Sequence, residues 1–198
     1  DTNVGDFANA CAQVSAIGEA RFLAFLHHQG LAPMWHQMLQ QATTASPFSA
    51  EFTDAFRQSR LDAAGLYLAQ KSSLGTIRRI LEEAAIAHVV YKGADTRERY
   101  YAEPALRPAA DIDVLVAERD KVGAIRTFRR HGFELHAKAD IVSHETSLTK
   151  GGIAVDLHWD ILRPGRTRIP IVDTLLATRQ DSGSHWGTND ASTLFISL

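Results

Sequence analysis

A strand that carries two acids on one face restricts what can pack around it. In Asp111-Ile112-Asp113-Val114-Leu115-Val116 successive side chains alternate, so Asp111 and Asp113 project from one side and Ile112 and Val114 from the other. The apolar side needs a packed layer. The acidic side forces two carboxylates together, which either raises one pKa or calls for a cation, and hard divalent ions with oxygen ligands are the usual answer. The pair is therefore read as a Mg²⁺ site, with Mn²⁺ as the alternative ion. About forty residues on, Ala154-Val155-Asp156-Leu157-His158-Trp159 alternates again and puts Asp156 and His158 on one face. If that strand neighbours the first, Asp156 completes a three-carboxylate cluster able to hold two metals.

Upstream, the β-branched and aromatic run His88-Val89-Val90-Tyr91 reads as a strand that stops at Lys92-Gly93, where a glycine permits a sharp turn or close approach to a ligand. The polar excursion from Gly93 to Asp111 carries Arg97, Arg99 and Arg107. Lys92 is expected to contact a phosphate or a carboxylate. Arg107 suits neutralisation of the acids or a phosphate contact, with a surface salt bridge as the competing reading. His158 is read as a partner of the acids, a base, or a hydrogen-bonded structural histidine, and His144 and Glu145 stand on the preceding strand. Arg163, Arg166 and Arg168 form a basic loop that either contacts a polyanion or is simply solvated.

The rest of the chain reads as support. Its 198 residues can bury a substantial core, and a formal net charge of −2 argues against blanket attraction to nucleic acid. Cys11 is the only cysteine, so no intrachain disulfide can form, and a reducing cytoplasm is expected. No run approaches the roughly 18 apolar residues of a membrane span. Asp1 is not an initiator methionine, and residues 189–198 open an apolar helical face that stops, so a longer protein continuing into a C-terminal helical region is expected.

Helices are predicted from Phe7 to about His28, from Pro33 to Gln41, and over most of 48–86, with Gly65 and Gly75 as candidate breaks and residues 42–47 as a small-residue linker. The first carries the stripe Ile17, Phe22, Leu23, Phe25 and Leu26. A further helix is predicted over 118–130, then strands over 133–136 and 143–150, the latter joined through Gly151-Gly152 to the Asp156 strand as a hairpin. Beyond Trp159 the chain reads as irregular. The fold class is α+β: a helical N-terminal region over 1–87, then a catalytic region over 88–198 with a mixed or antiparallel sheet flanked by helices.

The order of strand and Lys92-Gly93, then Arg107 and Asp111-x-Asp113, then Val155-Asp156-Leu157-His158-Trp159 resembles the uncharacterised nucleotidyltransferase family of the DNA polymerase β-like superfamily, over roughly residues 75–162. Most of the superfamily carries Gly-Ser where this chain has Lys92-Gly93; the narrower family looks like this chain. The resemblance implies a metal-dependent transfer of a nucleoside monophosphate from an NTP, ATP included, to an unknown hydroxyl acceptor on a small molecule, a protein or an RNA end, with release of pyrophosphate. Asp111, Asp113 and Asp156 would be both the metal ligands and the catalytic residues, with Lys92, Gly93, Arg107 and His158 facing the nucleotide. The rivals are a nucleotide-binding or regulatory module without turnover, a glycosyltransferase using Asp-x-Asp, and a hydrolase using His144, Glu145, Asp156 and His158 with zinc.

Overall fold

Aromatic side chains at every fourth position organise the N-terminal helices. Phe48, just ahead of a helix that begins at Ala50, stacks on Phe52, and Phe52 on Phe56, with ring centroids 4.9 and 4.6 Å apart. The computed structural model describes residues 9, 11–14, 17–42, 48–136, 144–162 and 170–197. They fall into two units, residues 1–67 with 103–108, and residues 68–102 with 109–198.

The first unit holds α1 (Glu19–His28), α2 (Ala32–Gln41) and the start of α3 (Ala50–Glu83). Its core is Leu26, Ala32, Phe52 and Phe56, with Phe22, Leu23, Trp35 and Leu39 packed against it. Ser49 caps α3: its hydroxyl accepts from the Phe52 N–H at 3.2 Å and donates to Glu19 at 2.5 Å. The predicted first helix is interrupted at Gly18, whose φ of 91° suits glycine, and Ile17 and Phe25 of its stripe are exposed. Gly30, at φ 66°, closes α1 as expected. Neither Gly65 nor Gly75 breaks α3. A glycine costs a helix about 1 kcal/mol against alanine, and the burial of Leu74, Ile77, Ile80 and Leu81 along the same helix outweighs that. The linker at 43–47 and Arg163, Arg166 and Arg168 lie outside the described residues.

In the second unit β1 (His88–Tyr91), β2 (Asp111–Val116), β3 (Glu134–His136), β4 (Glu145–Lys150) and β5 (Ile153–His158) form one mixed sheet in the order β1-β2-β5-β4-β3. Only β2 and β5 run parallel; the other neighbours are antiparallel. The β4–β5 hairpin turns at Gly151-Gly152, both at positive φ (57° and 81°), the backbone a two-residue primed turn requires. One sheet face is mainly apolar: Val90, Ile112, Val114, Leu148, Val155 and Leu157 pack beneath α3 and α5 (Lys121–Arg130). On the other face Val89, Tyr91 and Leu115 meet Leu175 and Leu176 of α6 (Val172–Ala177). The observed class is mixed α+β, as the sequence pattern predicts.

Two stretches differ from their predicted form. The excursion after β1 begins with α4 (Lys92–Tyr100), and the chain turns into it at Lys92, with φ 55°, rather than at Gly93. Beyond Trp159 the chain is more regular than predicted, with α6 and a ribbon of β6 (Gln180–Asp181) and β7 (Trp186–Gly187), before α7 (Asp190–Ser197) forms where a helical face is predicted to open. α6, β6 and β7 are too short to show a period in sequence. No helix among the described residues is long and apolar enough to cross a membrane.

Candidate active site

Register places the acids. β2 and β5 pair in parallel with Asp113 opposite Asp156, and in-register neighbours share a face, so Asp111, Asp113, Asp156 and His158 all project from the same side. The hairpin adds two more groups to that face: Ser147 lies opposite Asp156 and Glu145 opposite His158. β1 contributes Tyr91, opposite Asp113. The candidate site is thus built on four adjacent strands.

Asp113 is the hub, with its side chain 8% exposed. Its Oδ1 accepts from the Lys92 ammonium at 2.8 Å and is 2.9 Å from His158 Nε2. Burial pushes this carboxyl up, but the hydrogen bonds from His158 and Lys92, together with the Lys92 charge, prevail and hold it below its ordinary value. Both donors converge on Oδ1. Among the described residues no hydrogen bond engages Oδ2, the oxygen a metal would take. Asp111 behaves oppositely: burial, then repulsion from Asp113 and Asp156, raise its pKa despite the attraction of Lys92 and His158. The face is short of positive charge.

Asp156 accepts from the Ser147 hydroxyl at 2.6 Å. His158 is buried, with its ring edge-on to Tyr91 at 5.3 Å. Burial, followed by the charges of Asp113, Glu145 and Asp156, drives the Tyr91 hydroxyl far above the ordinary phenol range, so it stays protonated. Asp113, Asp156 and His158 each present one ligand atom, all within 4.8 Å of one another. The carboxylate oxygens of Asp113 and Asp156 beside an Asp111 raised by its acidic neighbours suit a hard divalent cation, with His158 as the hydrogen-bond partner of Asp113.

Lys92 reaches a carboxylate, one of the two contacts expected of it. Gly93 lies inside the first turn of α4. Arg107 belongs to the first unit, where its backbone N–H closes the Pro104–Leu106 turn. Arg97 is buried and donates to Gln70 at 2.7 Å, while Arg99 bonds Asp95, Thr193 and Asp190, which ties both to the scaffold. Ser147 escaped the sequence reading. Counting outward from the Gly151-Gly152 turn puts it opposite Asp156, so the signal was the hairpin register.

The Lys92 contact makes its own prediction. In Lys92→Met the Asp113 carboxyl should titrate at higher pH, because an ammonium that stabilises its charged form is gone. Carboxyl-carbon NMR titration reads this directly; an unchanged Asp113 titration would show that Lys92, 43% exposed, is screened by water and salt.

Residues 15–193 match the family model described as uncharacterised nucleotidyltransferase. The chain belongs to that family. No curated protein matches it. Membership of the uncharacterised nucleotidyltransferase family sets the coarse chemical class, nucleotidyl transfer, and the matched span takes in all five strands of the sheet.

Proposed function

We propose that this nucleotidyltransferase family member transfers a nucleoside monophosphate from an NTP to a hydroxyl acceptor, using Asp111, Asp113 and Asp156 as its metal ligands. The observation that carries the reading is the in-register pairing of Asp113 with Asp156 on the face that also carries Asp111, which concentrates negative charge beyond what Lys92 and His158 offset and favours a bound cation. Bound Mg²⁺ would neutralise triphosphate charge and acidify the acceptor hydroxyl. The acceptor oxygen forms a bond to the α-phosphorus as the bond from that phosphorus to the bridging oxygen breaks, and pyrophosphate leaves. The acceptor proton goes to Asp156, whose other hydrogen-bonding duty is the Ser147 hydroxyl. Lys92 supplies a cation at the rim that can turn from Asp113 to a phosphate oxygen. His158 holds Asp113 in orientation from below.

The test is titration of each NTP with and without Mg²⁺, followed by pyrophosphate release with cell extract as the acceptor source. Mg²⁺-dependent binding and release, both absent in the Asp111→Asn/Asp113→Asn double variant, are expected. Binding without release under any acceptor would identify a nucleotide-binding module on this fold. No metal-dependent binding of any NTP would overturn the proposal.

A further inference from the structure

His158 faces two ways. Its Nε2 meets Asp113, but its Nδ1 is buried, makes no hydrogen bond, and points toward Glu145 and His144. Glu145 Oε2 lies 3.2 Å from that nitrogen in a geometry that is not a hydrogen bond, and 3.8 Å from His144 Nε2. The His144 and His158 rings are tilted by 42° with centroids 5.8 Å apart. An imidazole nitrogen in a 1%-exposed side chain that has a carboxylate beside it but makes no hydrogen bond is costly unless something binds it.

We propose that His144, Glu145 and His158 form a second metal site, selective for Zn²⁺, on the hairpin side of the carboxylate cluster. Two imidazoles and one carboxylate make a borderline-soft donor set that prefers zinc to Mg²⁺ and leaves a fourth position open. Zinc–ligand bonds of about 2.0–2.1 Å in a tetrahedron put ligand atoms about 3.3 Å apart. The 3.2 Å pair already meets that, and the others, all within 4.8 Å, need only side-chain rotation. Glu145 and His158 are held for it by the strands, since they are Cα partners in the β4–β5 register.

The Asp113 bond supplies the remaining support. Metal-ligating histidines generally donate their other N–H to a carboxylate, which fixes tautomer and ring orientation. With zinc on Nδ1, the His158 proton sits on Nε2 and is donated to Asp113 Oδ1 at 2.9 Å. The zinc ion would therefore act as a fixed support beneath the carboxylate cluster, orienting Asp113 without contacting the nucleotide. This site does not depend on nucleotidyl transfer.

The experiment uses the full chain, purified without a histidine tag, stripped with chelator and titrated with Zn²⁺ in excess Mg²⁺. One zinc per chain is expected by calorimetry and elemental analysis, with affinity falling at least about 10-fold in His144→Ala and in Glu145→Gln and unchanged in Asp111→Asn. Loss of zinc in Asp156→Asn with His144→Ala unaffected would overturn the proposal, since zinc would then sit in the carboxylate cluster. So would no zinc uptake by the unmodified chain. If His144→Ala fails to fold, Co²⁺ on the unmodified chain decides: intense tetrahedral absorption supports the site, and a weak octahedral spectrum overturns it. Mg²⁺-dependent NTP binding, measured on both the zinc-stripped and the zinc-loaded chain, reports on the transferase reading: its absence from both, with zinc still bound at this site, overturns that reading and leaves this one standing.

Discussion

Asp111→Asn is expected to stabilise the protein at neutral pH while lowering turnover about 10²–10³-fold, and Asp113→Asn to lower both. The two carboxylates are shifted in opposite directions. The folded pKa of Asp111 is raised, so the folded protein holds its proton where the unfolded chain, with a carboxylate near pH 4, has released it. Stability then falls as pH rises from about 4 through the raised value, and the full penalty stands above it. Asn removes that penalty, so the melting temperature should rise at pH 7 and the gain should vanish toward pH 4. Asp113 is depressed. Its contribution is present above the ordinary carboxylate pKa and is lost as pH falls through the folded value, so Asp113→Asn should cost stability at pH 7 and little in acid. Two charge-assisted bonds to a buried oxygen put that cost at about 1–3 kcal/mol. Thermal melts from pH 3 to 8, beside pyrophosphate release, check both halves. A melting temperature that drops in Asp111→Asn would mean the Asp111 charge is compensated and the cation argument fails.

That opposition between neighbouring acids could not be read from the sequence, and the reason is physical. Alternation along β2 shows that Asp111 and Asp113 share a face. It does not show which of them the flanking strands reach. Strand pairing decides that: Tyr91 and Asp156 flank Asp113 on its two sides, whereas Asp111 sits opposite Ala154 at the strand's open end. The Lys92 contact was legible as chemistry, a cation after a strand, but the left-handed turn at Lys92 that precedes α4 was not, because local sequence favours glycine for that conformation. The hairpin was legible because Gly151-Gly152 states its turn type. The ordering of residues 170–188 was not, since it depends on contacts to β1 and α4 made about ninety residues earlier in the chain.

One such contact sets the second large effect, an expected loss of about 3–5 kcal/mol in Asp95→Ala. Asp95 is fully buried on α4 and accepts from His185 Nε2 at 3.1 Å, the Thr188 N–H at 3.2 Å, the Thr188 hydroxyl at 2.8 Å and Arg99 at 3.2 Å. Burial pushes its pKa up, but the bonds from His185 and Thr188 outweigh that and hold the carboxyl ionised. Removing it strands His185 and Thr188, both buried, without their acceptor. Gly187 belongs to the same device, because a Cβ there would come within 2.1 Å of Asp95 Oδ1. Gly187→Ala should therefore destabilise on its own, whereas in the Asp95→Ala background the nearest obstructing oxygen is gone, Ser182 Oγ at 2.9 Å is left to rotate away, and part of that cost should disappear. Urea unfolding of the two single variants and the double variant forms the cycle, with the coupling read as the shortfall from additivity. Strict additivity would mean that β7 moves to relieve the clash rather than being held against α4. Since α4 begins at Lys92, the same variants should also weaken the Lys92–Asp113 contact, and so connect the C-terminal ribbon to the charge balance of the carboxylate face.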